Sequence, residues 1–226
     1  MAAMTRSDAA PFERREDVPA LADGEIHVWS LRIDDAADAR AVGSGARAEL
    51  ERLLRAYAQL PQPPLIERGE HGKPFAPALR DLEFNLSHAG TDVLLAFARS
   101  QPLGIDLERI DRRLATAALA RRFFAGEEAA ALARVPADLQ QSSFMQLWTQ
   151  KEAVLKALGQ GLGFGLHKLA FAVGDDGEIG DLDRIDEAAG SATDWRLRRL
   201  SPGPGLVAAL AWRGADRPVR LFARAS

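Results

Sequence analysis

Asp106 and Glu108 stand two residues apart in the apolar stretch Gly104-Ile105-Asp106-Leu107-Glu108. On a strand, that spacing sends both carboxylates to the same face. Two like charges so close disfavour each other's ionisation unless something positive lies between them. Further on, Trp148-Thr149-Gln150-Lys151-Glu152 supplies a third carboxylate, and Lys156 follows Glu152 by one helical turn. Three carboxylates suit magnesium, an oxygen-seeking ion that keeps waters and bridges to phosphate, and the lysine is placed to receive that phosphate. Each feature also has a plainer reading. Asp106 and Glu108 fit one exposed face of an edge strand, and Glu152 and Lys156 fit an i,i+4 surface pair worth a few tenths of a kcal/mol.

Other residues add to the chemistry. Ser87-His88 ends the run Phe84-Asn85-Leu86 just before a turn glycine. A serine-protease reading fails there, because neighbours on a strand point to opposite faces and His88 cannot deprotonate Ser87. A structural histidine and an anion site both remain open. Gly72-Lys73-Pro74 fixes a cation in a loop, as a solvated turn or as a ligand contact. Arg109, Arg112, Arg113, Arg121 and Arg122 form a basic stretch. It reads either as a solvated helix face or as a dock for an acidic partner. Lys151 falls within the apolar arc of its helix, where a purely structural helix would avoid it; it either snorkels or adds a second cation to a phosphate site.

These residues need a scaffold. The 226-residue chain is 47% apolar and 27% charged, as expected of a globular protein that buries a core. A net charge of −3 gives no reason to expect nucleic acid. With no cysteine, thiolate metal sites and thiol nucleophiles are excluded. The apolar runs are too short to span a bilayer, and the N-terminus lacks the basic-then-apolar order of a signal peptide. A cytoplasmic protein is expected.

Residues 1–22 lack periodicity and read as a tail that is loose or docked late. Glu25–Ile33 alternates like a strand. Asp38 to Leu60 reads as helix, with Gly43 and Gly45 splitting or bending it and Pro61 ending it. Leu82–Leu86 and Val93–Ala98 form a hairpin pattern, and Trp195–Leu200 with Leu206–Trp212 repeats it. Phe144 to Leu158 is the strongest helix, with Phe144, Leu147, Val154, Leu155 and Leu158 on one arc. Both halves thus read as leading strand, helix, hairpin. The expectation is an α+β fold with a tail (1–22), an N-terminal subdomain (23–101) and a C-terminal subdomain (102–226).

Taken in order, Gly72-Lys73-Pro74, Phe84-Asn85-Leu86-Ser87-His88, Gly104–Glu108, and Trp148–Ala153 with Lys156, Ala157 and Gly159 resemble the Sfp-type 4′-phosphopantetheinyl transferases over roughly residues 45 to 170. The resemblance implies two similar α+β subdomains in a pseudo-twofold arrangement, with coenzyme A in the cleft between them. It implies transfer of the phosphopantetheine arm to a serine of an acyl or peptidyl carrier protein, releasing 3′,5′-ADP. By motif position Asp106, Glu108 and Glu152 would hold magnesium, with Asp106, Glu152 and Lys156 catalytic and Glu152 the base. Lys156 would contact the pyrophosphate, with Lys151 as its neighbour. Lys73, Pro74, Ser87, His88 and Arg47 would bind the nucleotide end. Asp34, Asp35 and Asp38 make the segment before Arg47 acidic, and Glu51 stands where a second arginine is common in the family. The acidic carrier would dock near Arg112–Arg122, and one chain would suffice as a monomer. Two alternatives use the same residues: a magnesium-dependent nucleotide phosphohydrolase and a degenerate coenzyme A-binding protein.

Overall fold

Apolar residues alternate along two strand hairpins, and each hairpin must cover two faces; this decides how the chain layers. The structure, a computed structural model, describes residues 4–8, 11–34, 38–111 and 114–224. In chain order these form β1 (Met4–Asp8), β2 (Glu13–Arg15), β3 (Ile26–Arg32), α1 (Ala39–Tyr57), β4 (Glu67–Arg68), β5 (Pro74–Phe75), β6 (Leu82–Ala89), β7 (Asp92–Arg99), β8 (Leu103–Arg109), α2 (Thr116–Phe123), α3 (Gly126–Leu132), α4 (Gln140–Leu158), β9 (Leu169–Val173), β10 (Ile179–Ile185), β11 (Trp195–Leu200), β12 (Leu206–Arg213) and β13 (Val219–Arg224). The mixture is α+β, as expected.

Two sheets carry the architecture, one ordered β2-β13-β3-β7-β6 and the other β1-β11-β12-β8. Within them β3-α1-β6-β7 and β8-α4-β11-β12 follow the same plan. A leading strand is followed by a long helix and then a hairpin, whose second strand pairs antiparallel with the leading strand.

The first sheet has a different set of residues on each face. Trp29, Val93, Leu95 and Phe97 pack with Leu50, Leu53 and Leu54 of α1. Ile26, Val28, Leu94 and Ala96 pack with Leu103, Ile105, Leu210 and Trp212 of the second sheet. The far side of that second sheet, through Leu197, Ala209 and Ala211, meets Phe144, Leu147, Val154 and Leu155 of α4. Burying each such side chain is worth about 1.5–3 kcal/mol.

Three features bear on the expectations. Within residues 1–22, β1 pairs parallel with β11 and β2 parallel with β13, one on each sheet, so these segments are docked. The last strand, β13, lies beside β3 in the first sheet, so the chain crosses the division at 101/102. Unpaired N–H and C=O groups on a sheet edge recruit whatever strand can reach them, and neither terminus announces such pairing by periodicity. Third, α1 is one unbroken helix, capped by the Asp38 side chain accepting from Ala41 N at 2.8 Å. Gly45 serves packing rather than a break, since a Cβ there would lie 3.0 Å from the Ile33 side chain. Asp35 lies outside the described residues.

Candidate active site

Strand alternation sends Leu103, Ile105 and Leu107 into the core between the sheets. By the same period, Gly104, Asp106 and Glu108 face α4. A Cβ on Gly104 would sit 2.1 Å from Ala153 O and 2.4 Å from Ala157 N. Only glycine lets the helix lie this close to the strand. The close approach brings the last turns of α4, carrying Glu152 and Lys156, over Asp106.

The Lys156 ammonium donates to Asp106 Oδ1 at 2.7 Å, to Ser87 Oγ at 3.0 Å and to the Ile105 carbonyl at 3.0 Å. The Ser87 hydroxyl donates in turn to Asp106 Oδ1 at 3.0 Å and accepts from Leu107 N at 3.3 Å. Asp106 Oδ2 is buried and has no hydrogen-bond partner among the described residues. Burial pushes the Asp106 carboxyl above the usual range despite Lys156 and Ser87. Glu152 is pushed up to about 7, first by burial and then by the Asp106 charge; Lys156 opposes the shift and Glu108 adds to it. Both carboxyls therefore hold a proton more tightly than they would in water.

In front of these groups opens a cleft of about 530 Å³. Arg47 reaches it from α1, Lys73 and Pro74 from the loop and β5, Ser87 and His88 from β6, and Glu152 and Lys156 from α4. Lys73 donates to the Leu103 carbonyl at 3.0 Å, and burial holds its ammonium below the ordinary value. Arg47 is paired with Glu51 at 2.6 Å. His88 is exposed, whereas the Ser87 hydroxyl is buried in the Asp106–Lys156 contact.

One site expectation is corrected. Lys151 does not reach the cleft. It is 0% exposed and pairs at 2.7 Å with Glu128, also 0% exposed, while donating to the Leu166 and Leu169 carbonyls. The helix turns it into the core, where a buried carboxylate and two carbonyls satisfy it. The expected metal set of Asp106, Glu108 and Glu152 is not assembled as a ligand cluster here. Among the described residues no group of three carboxylate or imidazole side chains converges closely enough to hold a metal ion, and Asp106 Oδ1 is engaged by Lys156 and Ser87.

The basic stretch is described only in part. Arg112 and Arg113 lie outside the described residues, Arg121 and Arg122 are exposed on α2, and Arg109 pairs with Asp111 and Asp92.

Sequence reasoning missed Arg68, His71 and Asn85, which also line the cleft. Asn85 stands two residues before Ser87, so strand period alone would have put it on the same face. Nothing local points to Glu128 as the partner of Lys151, because that pair forms only through tertiary packing. No helix among the described residues is long and apolar enough to cross a membrane.

Comparison with known proteins meets this geometry. Residues 102–210, which hold Asp106, Glu108, Glu152 and Lys156, match the model of the 4′-phosphopantetheinyl transferase superfamily. A 4′-phosphopantetheinyl transferase of Bacillus subtilis is 38% identical over 110 residues, 49% of this chain and 48% of the relative. The 4′-phosphopantetheinyl transferase AcpT of Escherichia coli K12 is 39% identical over 109 residues, 48% of this chain and 55% of its own. A phosphopantetheinyl transferase of a Thraustochytrium species is 31% identical over 164 residues, 67% of this chain and 57% of its own. The chain thus spans about half the length of the curated relatives it matches. The matched segment 102–210 contains the strand and helix that build the carboxylate–lysine centre, and there the chain is similar to the Sfp-type 4′-phosphopantetheinyl transferases.

Proposed function

We propose that this chain transfers the 4′-phosphopantetheine arm of coenzyme A to a serine hydroxyl of an acyl or peptidyl carrier protein, with magnesium, releasing 3′,5′-ADP. The observation that carries the reading is Glu152. It is a carboxyl pushed up to about 7, on the wall of a cleft that also holds Arg47, Lys73, His88 and Lys156. A base whose pKa lies near neutrality is suited to accept a hydroxyl proton, and the cations are suited to a pyrophosphate.

By donor chemistry the residues present suit magnesium, although the three carboxylates are not drawn together as a cluster here. The donors Asp106, Glu108 and Glu152 are all oxygen, Asp106 Oδ2 is buried without a partner, and Glu152 is held up by the other two charges. These three would hold the ion, which when bound supplies positive charge to the pyrophosphate.

The chain's own groups do the rest. Arg47, Lys73 and His88 bind and orient the nucleotide phosphates. Glu152 takes the serine proton as the serine oxygen forms its bond to the phosphorus of the arm. The bond from that phosphorus to the oxygen of 3′,5′-ADP breaks. Lys156 offsets the charge on that leaving group. Its three donors are already used, so it must exchange one acceptor, and the neutral Ile105 carbonyl is the one it would release most easily. Positioning and charge stabilisation carry most of such a reaction.

In this reading, residues 23–101 and 102–226 form two subdomains in a pseudo-twofold arrangement around the cleft, with the terminal strands crossing between them. The enzyme works as a cytoplasmic monomer, and the carrier docks near Arg112–Arg122. Intact-mass spectrometry of an apo carrier protein incubated with this chain, coenzyme A and magnesium tests it. The expected gain is one phosphopantetheine arm, abolished by chelator. Release of 3′,5′-ADP without carrier would favour a phosphohydrolase, and coenzyme A binding with no mass gain across several carriers would favour a non-catalytic binder.

A further inference from the structure

An edge strand presents every second residue's N–H and C=O to whatever lies beside it, and when these are buried they need partners. Strand β8 is the edge of its sheet, and among the described residues no fifth strand covers its free side. Four side chains do so instead. The Leu103 carbonyl accepts from Lys73 at 3.0 Å. Ile105 N donates to Asn85 Oδ1 at 2.9 Å. The Ile105 carbonyl accepts from Lys156 at 3.0 Å. Leu107 N donates to Ser87 Oγ at 3.3 Å. The alternation 103, 105, 107 is that of one strand edge, so the side chains stand where a strand would. Asn85 and Ser87 come from β6, the edge of the other sheet, and join the two halves at this seam.

Lys73 and Lys156 already have roles in the proposed reaction and Ser87 bonds Asp106 Oδ1 directly, but Asn85 has no such part. It is 4% exposed and bonds the peptide N–H of Ile105, the residue before Asp106. A backbone N–H can only donate, so the carbonyl oxygen of the amide must face β8. Moving that peptide would move Asp106 relative to Lys156 and Glu152, and a displacement near 1 Å lowers rates by about 10²-fold.

We propose that Asn85 is a positioning residue: through Ile105 N it fixes the height of β8, and so the place of Asp106 against Lys156 and Glu152. The inference rests on the transferase reading for its catalytic consequence, but not for the hold on β8.

The test compares Asn85→Leu, which is likewise branched at Cγ but larger and has no acceptor, with Asn85→Asp, which keeps the accepting oxygen. Hydrogen exchange of the Ile105 amide is measured together with kcat and KM for coenzyme A. In Asn85→Leu, exchange at Ile105 should accelerate about tenfold or more and kcat should fall about ten- to hundredfold, while KM stays within about threefold. Asn85→Asp should restore the protection of Ile105. Should the leucine variant not fold, Asn85→Ser, too short to reach Ile105, takes its place. A leucine variant with unchanged kcat, a rise in KM alone, or equal loss of Ile105 protection in the aspartate variant would each overturn the proposal. If the parent chain itself transfers nothing, the transferase reading fails, and the exchange contrast at Ile105 alone supports or overturns the hold of Asn85 on β8.

Discussion

Two lysine–carboxylate pairs sit on the same helix with the same 2.7 Å separation, Lys151 with Glu128 and Lys156 with Asp106. Distance does not distinguish them; what surrounds the carboxylate does. Glu128 is fully satisfied: Oε1 accepts from Phe171 N at 2.9 Å, and Oε2 accepts from Ala125 N at 3.0 Å besides Lys151. Its pair is sealed, tying α3, α4 and β9 together. Burial pushes Lys151 down to about 8 even with Glu128 holding it up. Asp106 keeps one oxygen buried and unpartnered, and its lysine is 27% exposed. A second carboxyl nearby is forced up toward neutrality. The first pair is complete within the protein, whereas the second leaves carboxyls at the cleft that hold a proton more tightly than they would in water, as a ligand-binding centre does.

That contrast can be broken experimentally. Lys151→Met should leave Glu128 charged and buried, with a loss of about 3–5 kcal/mol on urea denaturation. Adding Glu128→Gln should recover more than half of it, because glutamine still accepts from Phe171 N. Lys156→Met should cost about 1–2 kcal/mol while abolishing transfer. Equal stability losses for the two lysines would remove the distinction.

The next largest effect concerns Glu152. Glu152→Gln should slow transfer about 10²-fold or more, measured by carrier mass gain over time. In the parent enzyme the rate should fall at acidic pH, since the proton acceptor must be ionised, with bound magnesium moving that limb below the metal-free value of about 7. An acidic limb that persists unchanged in Glu152→Gln would assign that limb to another group. The same shift acts on stability with a definite sign. A carboxyl raised in the folded state takes up a proton on folding, so its stabilising contribution is present below the unfolded value and is lost as pH rises through about 7. Glu152→Gln should therefore raise Tm relative to the parent at pH 8 and leave it nearly equal at pH 4.

A smaller effect sharpens the comparison of the cleft with the outer surface. Arg121 and Arg122 are exposed on α2 and do not line the cleft. Reversing both charges should lower the carrier association rate several-fold and flatten its salt dependence, while calorimetry finds coenzyme A binding unchanged. A parallel fall in both bindings would remove α2 from the docking surface.

Much of the scaffold was legible because it is local. The arc Phe144, Leu147, Val154, Leu155 announced α4, and the paired alternations announced both hairpins. The placement of Asp106 and Glu108 on one face followed from strand period alone. Lys151 shows where that reasoning stops. A lysine inside an apolar arc signals that a partner exists, but it does not say whether the partner is a ligand or a carboxylate elsewhere in the chain. Gly45 misled for a related reason: a helix tolerates glycine where packing against a neighbour, here Ile33, offsets the lost propensity.

By itself the sequence determined the α+β class, the repeated strand–helix–hairpin order and the residue types able to handle phosphate, because these depend on periodicity and side-chain chemistry within short stretches. Only the tertiary structure decided that Gly104 lets α4 touch β8, that Lys156 rather than Lys151 meets the carboxylates, and that β6 side chains complete the edge of β8. Those outcomes depend on which surfaces meet across long sequence separations, and no local pattern encodes such a meeting.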